Sequence, residues 1–146
     1  MADVHSPKVR SYNMSQIRCK DTKLEELVRK YLFAQGFRYR KNDSHLPGKP
    51  DIVLPKYRTV IFVNGCFWHK HENCKYFVWP QNNSAFWRKK ILSNVERDQH
   101  NYEQLQQMGW NIIVVWECEL RKEVRSKTLN KIVEDITRSA TVKITL

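Results

Sequence analysis

The chain has 146 residues, enough for one domain with a real core and short for two of ordinary size. Lysine and arginine number 26 against 15 aspartates and glutamates, a formal charge of +11 that favours a polyanionic partner. Neither a signal-peptide core nor a long apolar run occurs, which argues against secretion, membrane insertion and a membrane partner.

A single domain over residues 1–146 is expected, with 1–12 a flexible basic arm and 139–146 a tail. Asn13 can cap a short helix through Lys20, with Met14 and Ile17 on one side. Thr22-Lys23-Leu24-Glu25 has the capping-box pattern, and Leu24, Leu27, Val28, Tyr31 and Leu32 follow at helical spacing up to Gly36. Phe37 to Lys41 alternates apolar and basic side chains, as a strand would. Leu46-Pro47-Gly48-Lys49-Pro50 is a turn that delivers Asp51 to a second strand, Ile52 to Leu54, and Thr59 to Val63 is a third. A long helix is expected from Ser84 to Gly109, its stripe including Trp87, Ile91, Val95, Tyr102, Leu105 and Met108. Asn111 to Trp116 reads as a buried strand, and Ser126 can cap a last helix carrying Leu129, Ile132, Val133 and Ile136. The order helix, three strands, helix, strand, helix predicts an α/β fold with a mixed central sheet flanked by helices.

The densest chemistry lies in Gly65-Cys66-Phe67-Trp68-His69-Lys70-His71-Glu72-Asn73-Cys74. Cys66, His71 and Cys74 can share one zinc ion, and Cys118, at the end of an apolar run, can supply the fourth tetrahedral ligand. Two disulfides are the alternative for four cysteines, but an interleaved histidine in an intracellular chain favours zinc and leaves Cys19 as an ordinary thiol. Spacing alone leaves open whether His69 or His71 is the ligand. The other histidine is a candidate base or phosphate donor, and Asp98 is a candidate partner to fix its tautomer. Asp51 is the candidate carboxylate for Mg²⁺, although Pro-Asp is also a common turn pair. Glu25 is explained by its capping box and could in addition reach the metal through water. Phe67 and Trp68, in a loop that zinc would stiffen, can either pack beneath it or be driven between base pairs; Trp87 has the same choice.

These residues resemble the very-short-patch-repair (Vsr) mismatch endonucleases, from Met1-Ala2-Asp3-Val4-His5 to about Leu120. The segments that carry the likeness are Leu46-Pro47-Gly48-Lys49-Pro50-Asp51, Gly65-Cys66-Phe67-Trp68-His69, Asn94-Val95-Glu96-Arg97-Asp98 and Val115-Trp116-Glu117-Cys118. The resemblance implies a restriction-endonuclease-like core that nicks double-stranded DNA 5′ to the T of a T·G mismatch, the product of 5-methylcytosine deamination. It implies Asp51 and the Val63 backbone carbonyl as Mg²⁺ ligands, His69 as the catalytic histidine, Asp98 as its partner and Glu25 in support. It assigns structural zinc to Cys66, His71, Cys74 and Cys118, a wedge to Phe67, Trp68 and Trp87, entry from the opposite groove to Met14, and contact with the mispaired bases to Lys90 and Asn94. It further implies a bacterial cytoplasmic monomer, a repair polymerase and ligase acting downstream, and flanking bases matched to a companion cytosine methyltransferase.

Two departures stand out. The best-known family pattern has threonine and histidine where this chain has Val63 and Asn64, and one extra residue precedes Cys74. A backbone carbonyl survives the first change, whereas Asn64 can only hydrogen-bond, so activity or sequence preference is expected to differ. Two other readings share part of this chemistry. A zinc-stapled DNA-binding module would need the charge, knuckle and aromatics but not Asp51, His69 and Asp98. A restriction-type enzyme would cut intact DNA, which resists a wedge.

Overall fold

The computed structural model describes residues 23–145, with side chains through 138. Met14, Cys19, the expected helix after Asn13 and the Thr22 end of the capping box lie outside the described residues.

Helix α1 spans Lys23–Ala34, followed by strands β1 (Arg40–Lys41), β2 (Ile52–Leu54) and β3 (Thr59–Asn64). Helix α2 (Ser84–Gln107) crosses over to β4 (Asn111–Trp116), and α3 (Arg125–Thr145) closes the described chain. The sheet order is β1-β2-β3-β4; β1–β2 and β2–β3 run antiparallel, β3–β4 parallel. A parallel pair requires a crossover of a dozen or more residues, and α2 supplies it.

Strand alternation divides the core into two layers. Ile52, Leu54, Ile61 and Val115 face α1 and α3, where Val28, Leu32, Leu129, Ile132 and Ile136 complete one cluster. Val53, Val60 and Phe62 face the other way and pack with Leu105, Tyr102 and Trp110. Helices therefore cover both faces, which is the mixed α/β architecture expected.

Glycines end two helices by the same device. Gly36 (φ +97°) and Gly109 (φ +89°) take left-handed backbone that other residues enter at a cost. Phe37 N–H then reaches the Leu32 carbonyl and Trp110 N–H the Leu105 carbonyl, both at 3.0 Å, each a Schellman closure.

Four details differ from the sequence reading. The first strand shrinks to Arg40–Lys41, because Phe37 turns into the core instead of pairing. Strand β4 is half-buried apart from Val115, since among the described residues it lies at the sheet edge with a strand partner on one side only. Met108 is exposed, as it falls past the last turn of α2, where the stripe no longer faces the sheet. Ser126 sits inside the first turn of α3, which begins at Arg125 and continues as helix to Thr145, into the segment expected as a tail. No helix among the described residues is long and apolar enough to cross a membrane.

Candidate functional site

Strand β3 outruns β2 beyond the Ile52–Ile61 pair. Val63 N–H consequently has no β2 backbone partner and donates to Asp51 Oδ2 at 2.7 Å. The Val63 carbonyl leaves the strand on that same edge, because one strand residue sends both its backbone groups to one side. Glu25 reaches this corner from the first turn of α1 and interacts with Asp51. Its carboxylate, 6% exposed, also lies 3.4 Å from the guanidinium of Arg29, 4% exposed. Burial, reinforced by the charge and hydrogen bonding of Glu25, pushes Asp51 up to about 7 against the pull of Val63 N–H and Arg29. Two carboxylates crowded beside a free-edge carbonyl form a hard oxygen donor set, the kind that suits Mg²⁺.

Past the end of β3 the chain turns into the knuckle, where His69 N–H bonds the Gly65 carbonyl at 3.3 Å. The side chain of His69 meets Asp98 of α2, with Nδ1 2.5 Å from Oδ2. A carboxylate there holds Nδ1 protonated and leaves Nε2 as the open nitrogen. His71 faces the other way. Its Nδ1 lies 3.6 Å from Cys66 Sγ and 3.4 Å from Cys118 Sγ, and the ligand atoms of Cys66, His71, Cys74 and Cys118 all fall within 4.8 Å of one another. Tetrahedral zinc separates a sulfur and a nitrogen ligand by about 3.6 Å, so this donor set fits the ion. The structure thereby separates the two histidines that spacing could not: His71 joins the cysteines and His69 joins Asp98.

The aromatic residues form one cluster above the knuckle. Phe67 and Trp68 lie edge to face with centroids 5.3 Å apart, and Trp87 sits 5.5 Å from Phe67 and 5.9 Å from Trp68. Phe67 and Trp68 are half-exposed, whereas Trp87 is 6% exposed in the free chain, a floor beneath the other two rings. Asn94 donates to the Trp68 carbonyl at 3.1 Å and accepts from Arg97 at 3.3 Å, so it positions the knuckle in the free chain. Lys90 is half-buried one turn earlier on α2.

Several site residues escaped the sequence reading. Glu117 Oε1 accepts from Cys66 N–H at 3.4 Å, and the Trp116 ring stacks on His71 at 4.0 Å with planes 9° apart. Both precede Cys118 directly, in a segment that carries the family likeness, but neither had a role assigned from the sequence. Tyr102 receives a hydrogen bond from Asn64 Nδ2 at 3.0 Å. It was assigned to the core stripe, although its place four residues after Asp98 puts it on the same helix face.

The chain is also similar to known proteins. A family model described as DNA mismatch endonuclease Vsr matches residues 2–75. The chain is 50% identical over 137 residues to the Type II nicking enzyme V.NmeAIP of Neisseria meningitidis, covering 93% of this chain and 97% of that protein. It is 47% identical over 121 residues to the DNA mismatch endonuclease Vsr of Escherichia coli, covering 83% of this chain and 77% of that one. With the Type II nicking enzyme V.XorIIP of Xanthomonas oryzae the identity is 45% over 120 residues, 82% of this chain and 88% of that one.

Proposed function

The chain belongs to the Vsr family of DNA mismatch endonucleases, and from that premise we propose that it nicks one strand of a duplex 5′ to the T of a T·G mismatch. It is a DNA endonuclease, a hydrolase of phosphodiester bonds. Its proposed role is to open very short patch repair after 5-methylcytosine deaminates, acting in the bacterial cytoplasm as a monomer with a restriction-endonuclease-like core. One active site suffices for one nick, and a repair polymerase and ligase would complete the patch.

The observation that carries this reading is the convergence of two sets at the end of β3. Asp51 and Glu25 meet the free edge of Val63, and His69 is paired with Asp98 just beyond it. Hydrolysis of a phosphodiester needs positive charge at the phosphate and a base for the attacking water. Asp51 and the Val63 carbonyl, with Glu25 alongside, would hold Mg²⁺, whose chemistry there is to neutralise phosphate charge and acidify water. His69, oriented by Asp98 through Nδ1, would present Nε2 to take the proton of the attacking water. Cys66, His71, Cys74 and Cys118 would hold zinc with four protein ligands, leaving no open position, so its duty is structural. Phe67 and Trp68 supply the wedge, with Trp87 beneath them and Met14 entering from the opposite groove. Lys90 and Asn94 would touch the mispaired bases once the wedge enters.

The test is cleavage of a duplex pool bearing one T·G pair between randomised flanks, each strand separately labelled, in Mg²⁺. Nicks are expected on the T strand, immediately 5′ to the T, and sequencing the products reads out the flanking preference. Equal cleavage of a matched T·A pool, or scission of both strands, would overturn the reading.

A further inference from the structure

Asn64 is the last residue of β3 and immediately follows Val63, whose N–H holds Asp51. Its side chain is buried, 4% exposed, and spends its Nδ2 on the hydroxyl of Tyr102 at 3.0 Å. An amide nitrogen can only donate, so the hydroxyl oxygen is the acceptor and the phenolic proton remains to be given elsewhere. Among the described residues, no hydrogen bond takes that proton. The hydroxyl is nevertheless held in place. The Tyr102 ring packs edge-on against Phe62 with centroids 5.1 Å apart, and its backbone lies one turn beyond Asp98 on α2.

We propose that the Tyr102 hydroxyl, aimed by Asn64, is a catalytic hydrogen-bond donor to a non-bridging oxygen of the scissile phosphate. The inference rests on the nicking reading above and adds to it a donor that neither the carboxylate pair nor the His69–Asp98 pair provides. The ring is half-buried against Phe62 and the hydroxyl is held by Asn64, so it needs no rearrangement when charge builds on the phosphate. A hydrogen bond to an anionic oxygen is about twice as strong as one between neutral groups, which favours phosphate over water as its partner. Burial, and then the negative charges of Asp98 and Asp51, push the phenol up to about 12. It therefore stays protonated, and a donor, at neutral pH. Its place one turn from Asp98, and its bond to the neighbour of the Val63 that holds Asp51, put the hydroxyl between the two sets.

Tyr102→Phe keeps the ring and its packing and removes only the donor. With a T·G duplex in the flank that the wild-type chain nicks fastest, single-turnover nicking by the variant is expected to fall at least about tenfold, as for a lost preorganised donor. Binding of the same duplex without Mg²⁺ should be unchanged. Replacing each non-bridging oxygen of the scissile phosphate in turn by sulfur gives a readout that a packing role would not move. One diastereomer should slow the wild type while bringing the variant's extra deficit below about threefold, because sulfur is a poor acceptor for the hydroxyl. Asn64→Ala should match Tyr102→Phe, and the double variant should be no slower than either single one. A wild-type rate in Tyr102→Phe, or an equal deficit on both diastereomers, would overturn the inference while leaving the nicking reading intact. Absence of nicking by the wild-type chain on the whole T·G pool would overturn both.

Discussion

Asp51 owes its ionisation behaviour to where the fold puts it, in a buried corner with Glu25 alongside. An aspartate near 7 in the folded chain and near its ordinary 3.8 when unfolded holds a proton that the unfolded chain has already lost across that interval. Native stability of Mg²⁺-free, zinc-loaded protein should therefore fall as pH rises from about 4 to 7. Asp51→Asn keeps an oxygen for Val63 N–H and removes the charge. The variant is expected to melt above the wild type at pH 8, with the gap narrowing toward pH 5, and to have lost nicking in Mg²⁺. Thermal melts across that range check the first part, and a variant that melts below the wild type at pH 8 would contradict it. His69 belongs to the same scale. As the proposed base it should account for roughly 10²- to 10⁴-fold in rate, so His69→Ala should lose about that much single-turnover nicking while still binding DNA. Asp98→Asn should lose rate too, since an amide no longer secures the Nδ1-protonated ring.

The knuckle shows what one element contributes to its neighbours. It starts at the end of β3, and its fourth candidate ligand, Cys118, lies in a short 3-10 turn (Glu117–Leu120) just after β4. Zinc at this site would tie the ends of the parallel pair together and hold the aromatic cluster over α2. Burial pushes the Cys66 thiol up to about 12, so in the metal-free chain this thiol keeps its proton, and binding the ion must displace it. Cys118→Ser is accordingly expected to lower both zinc content, from one ion per chain, and melting temperature, as chelation of the wild type should. Metal analysis beside the melts checks this, and a zinc-free wild-type chain of unchanged stability would remove the argument. Much of this element was legible in the sequence, because Cys66, His71 and Cys74 are close in the chain and Cys118 follows an apolar run. The helices were legible for the same local reason: their period and their closing glycines are written within a few residues. Asp51 stood out because, apart from Asp43, it is the only acidic residue between α1 and the knuckle. The reading failed where long-range packing decides. The edge position of β4 follows from the sheet order, the brevity of β1 from the burial of Phe37, and the Asn64–Tyr102 bond spans 38 residues.

For the whole molecule, two kinds of interaction with DNA separate by their dependence on salt. A chain of charge +11 gains affinity for any duplex by releasing counterions, so overall binding should weaken steeply as salt rises. That release is nearly common to matched and mismatched duplexes, and the preference between them should change much less. On the proposed reading, the preference is the task of the Phe67–Trp68 pair. Trp87 supports the rings from below, Asn94 fixes the Trp68 carbonyl, and the knuckle fixes their backbone, so little ordering is required on binding. Insertion exchanges base stacking for ring stacking, which is worth about 1–3 kcal/mol per base. A T·G step gives up less pairing and stacking than a matched one, so the balance turns favourable only there. Trp68→Ala should weaken binding to a T·G duplex by about that energy and leave matched binding, carried by lysines and arginines, nearly unchanged. Titrations of both duplexes at two salt concentrations decide the matter. If the two affinities fall together, Trp68 is packing for the knuckle and does not discriminate the mismatch.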